Sequence, residues 1–329
     1  MVTKEIKPPN VFLIGAPKAG TSALADALSQ HPDIFMGKKE PRFFDAESFY
    51  DFVSDYPIAS LDEYLQFFSS DVAQKSNFRL DASVFNMYSS QSIERILSVS
   101  PDAKFIVMLR DPITASKSMH NQRLKYTDPA MREVSEDFCA CWRLLEQRKR
   151  GLGFPKGCRN RILFRYDYLY HYEWHLPKCL ALINKNQQIV LRYEEFKANP
   201  LSVCMQIFSH LGIDISFNPQ LGIVNPSLVT ENNMWNSFIQ ALIQKTAGAR
   251  KVIGLRGSRL KLIKNILPKL MKTRKPTVAN ECDELLEEEF YETYMFLEQI
   301  ESQHNPTERH VRLRKIICSD AKSNTNPCF

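Results

Sequence analysis

Compact apolar runs alternate with helical periodicities along most of the chain. Val11-Phe-Leu-Ile14, Phe105-Ile-Val-Met-Leu109 and Ile189-Val-Leu191 are continuous apolar runs of the kind buried parallel strands show, and Ile34-Phe-Met36 reads as a shorter strand. After the first run, Thr21 begins a helix that puts Ala23, Leu24, Ala27 and Leu28 on one face and ends before Pro32. Residues 45–76 are aromatic and mostly helical in pattern, clearest over Asp62 to Phe68. Further helices are expected over Ser92 to Leu97, from Pro112 onward, over 133–149, over Pro200 to Leu211 with Gly212 as the stop, over Ser258 to Met271 and over Glu281 to Ile300. Apolar strands alternating with helices predict a central parallel sheet covered on both faces, a three-layer α/β/α domain. With no internal repeat and no long linker, residues 1–305 read as a single domain. Its core spans about 9–215, a helical part follows over 216–305, and 306–329 is a polar tail.

Composition changes this picture little. The chain has 329 residues, 44% hydrophobic and 24% charged, which argues against a disordered, collagenous or coiled-coil protein. The net charge of +6 is uneven: Arg250 to Lys275 carries no acidic residue, and the balance reverses from Glu281 to Glu301. A basic stretch of this kind suits an anionic partner or a solvated helix face. Eight scattered cysteines with no CxxC pair argue against a zinc site and are too sparse for a disulfide scaffold. The run Val11 to Ala16 is too short for a signal peptide, no run approaches the length of a membrane span, and there is no N-x-Ser/Thr site. The expectation is a reducing, cytoplasmic setting.

The most informative string is Gly15-Ala-Pro-Lys-Ala-Gly-Thr-Ser22, between a buried strand and a helix. In that context a small-residue loop aims main-chain amides and the helix dipole at an anion. The expected ligand contacts are Ala16, Pro17, Lys18, Ala19, Gly20, Thr21 and Ser22. An ATP-binding loop has Lys directly after its second glycine; here Thr21 follows Gly20 and Lys18 lies inside the loop, so the lysine is aimed at a different part of the ligand. A second strand-to-helix switch reads Phe105-Ile-Val-Met-Leu-Arg110-Asp-Pro-Ile-Thr-Ala-Ser-Lys-Ser118. An arginine there can fork onto a phosphate at the sheet edge where open α/β folds bind ligands.

GAPKAGTSAL resembles the 5′-phosphosulfate loop of sulfotransferases that use 3′-phosphoadenosine 5′-phosphosulfate (PAPS), in the branch containing heparan sulfate and related bacterial enzymes. The resemblance covers about residues 9–215 and includes the Arg-Asp-Pro strand end with a Ser eight residues after the Arg. It implies a P-loop NTPase-like sulfotransferase fold, with Arg110 and Ser118 on the 3′-phosphate. The basic helix Ser258 to Met271 has three readings: lying over the nucleotide with Arg256 near the 3′-phosphate, facing an anionic surface, or packing as an ordinary helix. The resemblance further implies that Glu40, in Lys39-Glu-Pro-Arg-Phe-Phe-Asp45, is the catalytic base. Asp81-Ala-Ser83 departs from the branch, because Ala82 stands where a lysine is common; so do Ala115 and His120, where arginine and tyrosine are common.

The implied reaction transfers a sulfuryl group from PAPS to a hydroxyl or amine of a small acceptor and leaves 3′,5′-adenosine bisphosphate (PAP). No metal is called for; Lys18 and the loop amides stabilise the leaving phosphate, and Glu40 takes the acceptor's proton. The alternatives are a P-loop kinase or NTPase and an inactive nucleotide-binding module of the same fold. A nucleic-acid partner is not expected, since residues 250–275 lack interleaved aromatics. The acceptor's identity and the oligomeric state are not read from the sequence. Phe164 to His175 is dense enough in aromatics to wall an acceptor pocket or to pack against the sheet.

Overall fold

The structure is a computed structural model that describes residues 6–220, 229–230, 273–274 and 282–304. Five parallel strands form the sheet: β1 (Val11–Gly15), β2 (Ile34–Met36), β3 (Phe78–Asp81), β4 (Lys104–Leu109) and β5 (Gln188–Arg192), in the order β2-β3-β1-β4-β5. The apolar runs explain the centre of this order. All five residues of β1 and all but the first of β4 are buried, as a strand covered on both faces requires. They pair in register from Val11 with Lys104 to Gly15 with Met108.

Helices cover both faces, giving the three-layer P-loop NTPase-like fold. On one side α1 (Thr21–Leu28) packs on β1, and a later helix (Pro200–Leu211) packs on β5 and on α1. On the other side the 3₁₀ turn Val84–Tyr88 packs on β1. The helices that cover this turn are Ser90–Val99, which follows it, and Tyr172–Leu180. The Pro200–Leu211 helix ends as expected, with Gly212 in the left-handed conformation at φ 71°.

The structure corrects several expectations. Strand β3 was not anticipated; its Arg79 is satisfied by the carbonyls of Pro8 (2.7 Å) and Ser76 (2.8 Å), so a charged residue sits inside the sheet. The helix expected over 133–149 begins only at Phe138. Glu133 is drawn instead under the buried Arg148, and Asp137 caps the helix by accepting from the Cys139 N–H at 2.9 Å. It is further divided into Phe138–Arg143 and Leu145–Lys149. The helix expected over Glu281 to Ile300 is likewise two helices, Asp283–Glu289 and Tyr291–His304, that meet at the buried Phe290. Cys139 and Cys282 form a disulfide across 143 residues of sequence, which is at odds with the expected reducing setting. Among the described residues no helix is long and apolar enough to cross a membrane. Arg256 and the segment Ser258 to Met271 lie outside the described residues.

Candidate active site

The parallel strands all point their carboxyl ends at one edge, and the chemistry-bearing segments leave the sheet there. Gly15 ends β1 with φ 138°, and a Cβ on it would lie 2.2 Å from the Met108 carbonyl oxygen. Only glycine lets the chain turn this close to β4. The Ala16 N–H then bonds that carbonyl at 2.9 Å, and the Ala19 N–H bonds the Ala16 carbonyl at 3.2 Å. Gly20 caps α1 at φ 78°, where an added Cβ would meet the Tyr193 ring at 2.7 Å.

This narrows the cradle expected from the sequence. The amides of Ala16 and Ala19 are committed within the chain, Pro17 has no N–H, and the Pro17 carbonyl accepts from the Tyr170 hydroxyl at 3.2 Å. The N–H groups of Ala16 and Ala19 are thus bonded within the chain, and the loop's shape depends on them. Lys18, Gly20, Thr21 and Ser22 remain, together with the first-turn amides of α1, which have no intrahelical acceptor.

Lys18 is the centre of a cationic cluster. Its backbone is left-handed at φ 69°, a conformation a non-glycine residue holds only when its surroundings impose it. Burial, then the charges of Lys125, Arg110, Arg123 and Lys39, hold its ammonium down to a pKa of about 8. Arg110 joins the two signatures directly: its Nη1 donates to the Lys18 carbonyl at 2.7 Å, and its guanidinium lies 4.4 Å from the centroid of the Tyr193 ring. The Arg110 carbonyl accepts from the Tyr172 hydroxyl at 2.8 Å. Directly afterwards α1's counterpart in the second switch, the helix Pro112–Arg123, starts with Pro at its first turn and Asp111 accepting from the Thr114 N–H at 2.7 Å. Ser118 lies half-buried on that helix, and Arg123 is its last residue.

Glu40 reaches the same edge from β2. The Lys39 ammonium donates to the Ser22 hydroxyl at 2.5 Å and lies 3.3 Å from Glu40 Oε1, while Arg42 holds Glu40 Oε2 at 2.6 Å. Glu40 and Arg42 both have positive φ, 52° and 58°, on either side of Pro41. Two left-handed residues in one turn make it a strained element held by its contacts. Arg42 also pairs with the fully buried Asp45 at 3.1 Å. Burial pushes the Asp45 carboxyl up to a pKa of about 7, with Arg42 opposing. Asp81 and Ser83 belong to this support: Ser83 Oγ accepts from the Arg42 N–H at 3.3 Å, and Asp81 accepts from the Ser83 N–H at 2.7 Å and from the Tyr64 hydroxyl at 2.5 Å.

The edge thus gathers Lys18, Lys39, Glu40, Arg110 and Arg123 from four separate stretches of sequence. A sequence model described as "Sulfotransferase family" matches residues 9–218, most of the chain. The chain belongs to the sulfotransferase family. Among curated relatives of this sulfotransferase, the bifunctional heparan sulfate N-deacetylase/N-sulfotransferase 4 of Mus musculus is 24% identical over 225 residues, 65% of this chain and 24% of that protein. The human N-deacetylase/N-sulfotransferase 3 is 24% identical over 210 residues, 64% of this chain and 23% of its own length. The chain spans about a quarter of the length of these relatives. Among solved structures, a sulfotransferase from Alicyclobacillus acidocaldarius superposes with a TM-score of 0.55 at 26% identity, covering 77% of this chain and 99% of that one.

Sequence reasoning missed Lys39, Arg123 and Lys125 as members of the cluster. The only available signal was the run of basic residues closing the helix that carries Ser118. His120 stands where the branch has a tyrosine; it is buried, its Nε2 lies 3.0 Å from the Ser135 carbonyl, and burial lowers its pKa. That is a packed histidine of the core. Tyr166, Leu169, Tyr170 and Tyr172 are fully buried, so most of the aromatic stretch packs inward, while Phe164 lines a cavity.

Proposed function

We propose that this sulfotransferase takes its sulfuryl group from PAPS and delivers it to a hydroxyl or amine of a small acceptor. The observation that carries the reading is the cluster around Lys18. Burying an ammonium among Lys125, Arg110, Arg123 and Lys39 is unfavourable in the free protein, and a polyanion reverses that penalty. A nucleotide phosphorylated at both its 3′ and 5′ positions suits a cationic edge fed by two strand-to-helix switches.

In this reading Lys18, Gly20, Thr21 and Ser22 hold the 5′-phosphosulfate, and Arg110 and Ser118 hold the 3′-phosphate with Arg256. PAPS supplies a sulfur–oxygen bond to a phosphate leaving group. The Lys18 ammonium takes up charge on the bridging oxygen as that bond breaks and the bond from sulfur to the acceptor forms. Glu40 receives the acceptor's proton. For that its carboxylate exchanges a contact with Lys39 or Arg42 for the acceptor. No step is assigned to a metal ion. The nucleotide-binding core is taken as residues 9–215. The relatives are named for heparan sulfate N-sulfotransferase; the small acceptor is part of the present proposal.

Calorimetry tests the donor. PAP is expected to bind without a divalent metal and ATP with Mg²⁺ is not; binding of ATP and none of PAP would reverse the assignment in favour of a kinase.

A further inference from the structure

Arg123 is an arginine built for a ligand. It is only 3% exposed, yet Nε and Nη1 find no hydrogen-bond acceptor among the described residues. Its guanidinium is fixed 4.3 Å from the centroid of the Tyr126 ring and 5.9 Å from that of Phe164. Ring contacts of this kind hold the plane of a guanidinium and leave its edge N–H groups without acceptors. Two unmet buried donors on a charged group are costly, and structural arginines avoid them. Arg148, equally buried, shows the contrast: Glu133 and the Phe164 and Gly153 carbonyls take its donors.

Arg123 also lines a cavity of about 170 Å³ whose walls include Ala130, Met131, Leu163 and Phe164. Asp128 also lines it and accepts from the Ala130 N–H at 3.0 Å through Oδ1, and Arg159, likewise in the lining, is paired to Asp55 at 2.7 Å. Arg123 thus faces two ways. It is close enough to Lys18 to depress that ammonium, and it presents unmet donors beside an apolar cavity.

We propose that this cavity is the acceptor subsite and that Arg123 seats an oxyanion on the acceptor, so that the substrate class is a small, apolar-bodied hydroxyl or amine compound carrying a carboxylate or a sulfonate-type group. The proposal deepens the transfer reading above and rests on it. Arg123 anchors the charged end in the cavity, and its guanidinium is the group that the cavity and the Lys18 cluster share. It also gives the selectivity a physical basis: a neutral isostere meets a charged donor pair with at most a neutral acceptor and forfeits the charge-assisted bonds.

The probes are 4-hydroxybenzoate, 4-hydroxybenzenesulfonate and the neutral 4-hydroxybenzamide, titrated into protein saturated with PAP. At least one anion is expected to bind about tenfold or more tighter than the amide, the worth of a charge-assisted pair. Which of the two anions wins separates a carboxylate acceptor from a sulfonate-type one. Arg123→Gln and Arg123→Met are expected to erase the preference, each variant being titrated at a PAP concentration that saturates it so that a change in PAP affinity does not enter the comparison. Arg123→Met should melt no lower than the wild type, since it removes unmet buried donors; a merely structural arginine would lower the melting temperature and leave the preference intact. Equal binding of amide and anions, or a preference that survives in the variants, overturns the proposal. If the wild type takes no PAP, it is the donor reading that fails, and the same probes on the ligand-free protein still decide the oxyanion seat.

Discussion

At Lys18 a left-handed backbone, a buried ammonium and four neighbouring cations coincide. Each is unfavourable alone, and their concentration at one residue is the mark of a site prepared for an anion. The donor reading gives this a titration. In the free protein Lys18 loses its proton as the pH passes about 8. A bound polyanion favours the charged form and raises that value, so PAP binding near pH 9 should take up about one proton. Calorimetry in two buffers of different ionisation enthalpy reads this uptake, which Lys18→Met should abolish. Turnover should fall by about 10²–10³ in Lys18→Ala, the scale for one oxyanion donor, and by about 10²–10⁴ in Glu40→Gln, the range for a general base. Full activity in either variant removes that residue from the mechanism. That Lys18, Glu40 and Arg110 meet at one sheet edge follows from short strings whose spacing is local. Lys39, Arg123 and Lys125 were not legible in that way. Their role depends on where separate segments converge, and no local spacing records that.

At the scale of elements the strongest signals were continuous apolar runs, and β1, β4 and β5 lie where those runs predicted. β3 was hidden because its four residues, Phe-Arg-Leu-Asp, include two charged ones whose burial depends in part on distant partners, the Pro8 carbonyl for Arg79 and the Tyr64 hydroxyl for Asp81. The helices divided at Leu144 and Phe290 were hidden for a related reason, since helical periodicity continues across a break that only packing imposes. The last two helices are held by a testable contact. His171, just before the helix Tyr172–Leu180, meets Glu173 at 2.6 Å and Glu289 at 3.2 Å and stacks on Trp174 with centroids 4.0 Å apart. Burial alone would lower its pKa, but the two carboxylates win and raise it to about 9 from an ordinary 6.5. Since the folded value lies above the unfolded one, this stabilisation is complete below pH 6.5 and is lost as the pH rises through 9. His171→Asn should therefore melt below the wild type at pH 6, and the gap should close by pH 10. A gap independent of pH would show that the imidazole acts by packing alone.

For the molecule as a whole, the Cys139–Cys282 bond is the covalent tie between the sulfotransferase core and the helices that follow residue 282. Ion pairs repeat the connection, with Lys117 to Asp283 at 2.5 Å and Arg192 to Glu301 at 2.7 Å. Eight cysteines scattered over the sequence gave no hint of this pair, because partners 143 residues apart are chosen by the fold. The alternatives among the described cysteines are poor partners. Burial pushes the Cys179 thiol up to about 12 and Cys204 to about 11, and raises Cys141 as well, so none offers a thiolate for exchange at neutral pH. A non-reduced digest should therefore link the Cys139 peptide to the Cys282 peptide, with Cys141, Cys179 and Cys204 alkylated only after unfolding. Closing so long a loop restricts the unfolded chain, and losing such a bond typically costs about 2–5 kcal/mol. Cys282→Ser should lower the melting temperature, and dithiothreitol should bring the wild type down to the same value while leaving the variant unchanged. Because Lys18, Glu40 and Arg110 are positioned by the sheet edge rather than by this tie, PAP affinity measured below the melting transition should survive reduction. A loss of PAP binding on reduction would mean that the C-terminal helices, and not the sheet edge alone, hold the cationic cluster in place.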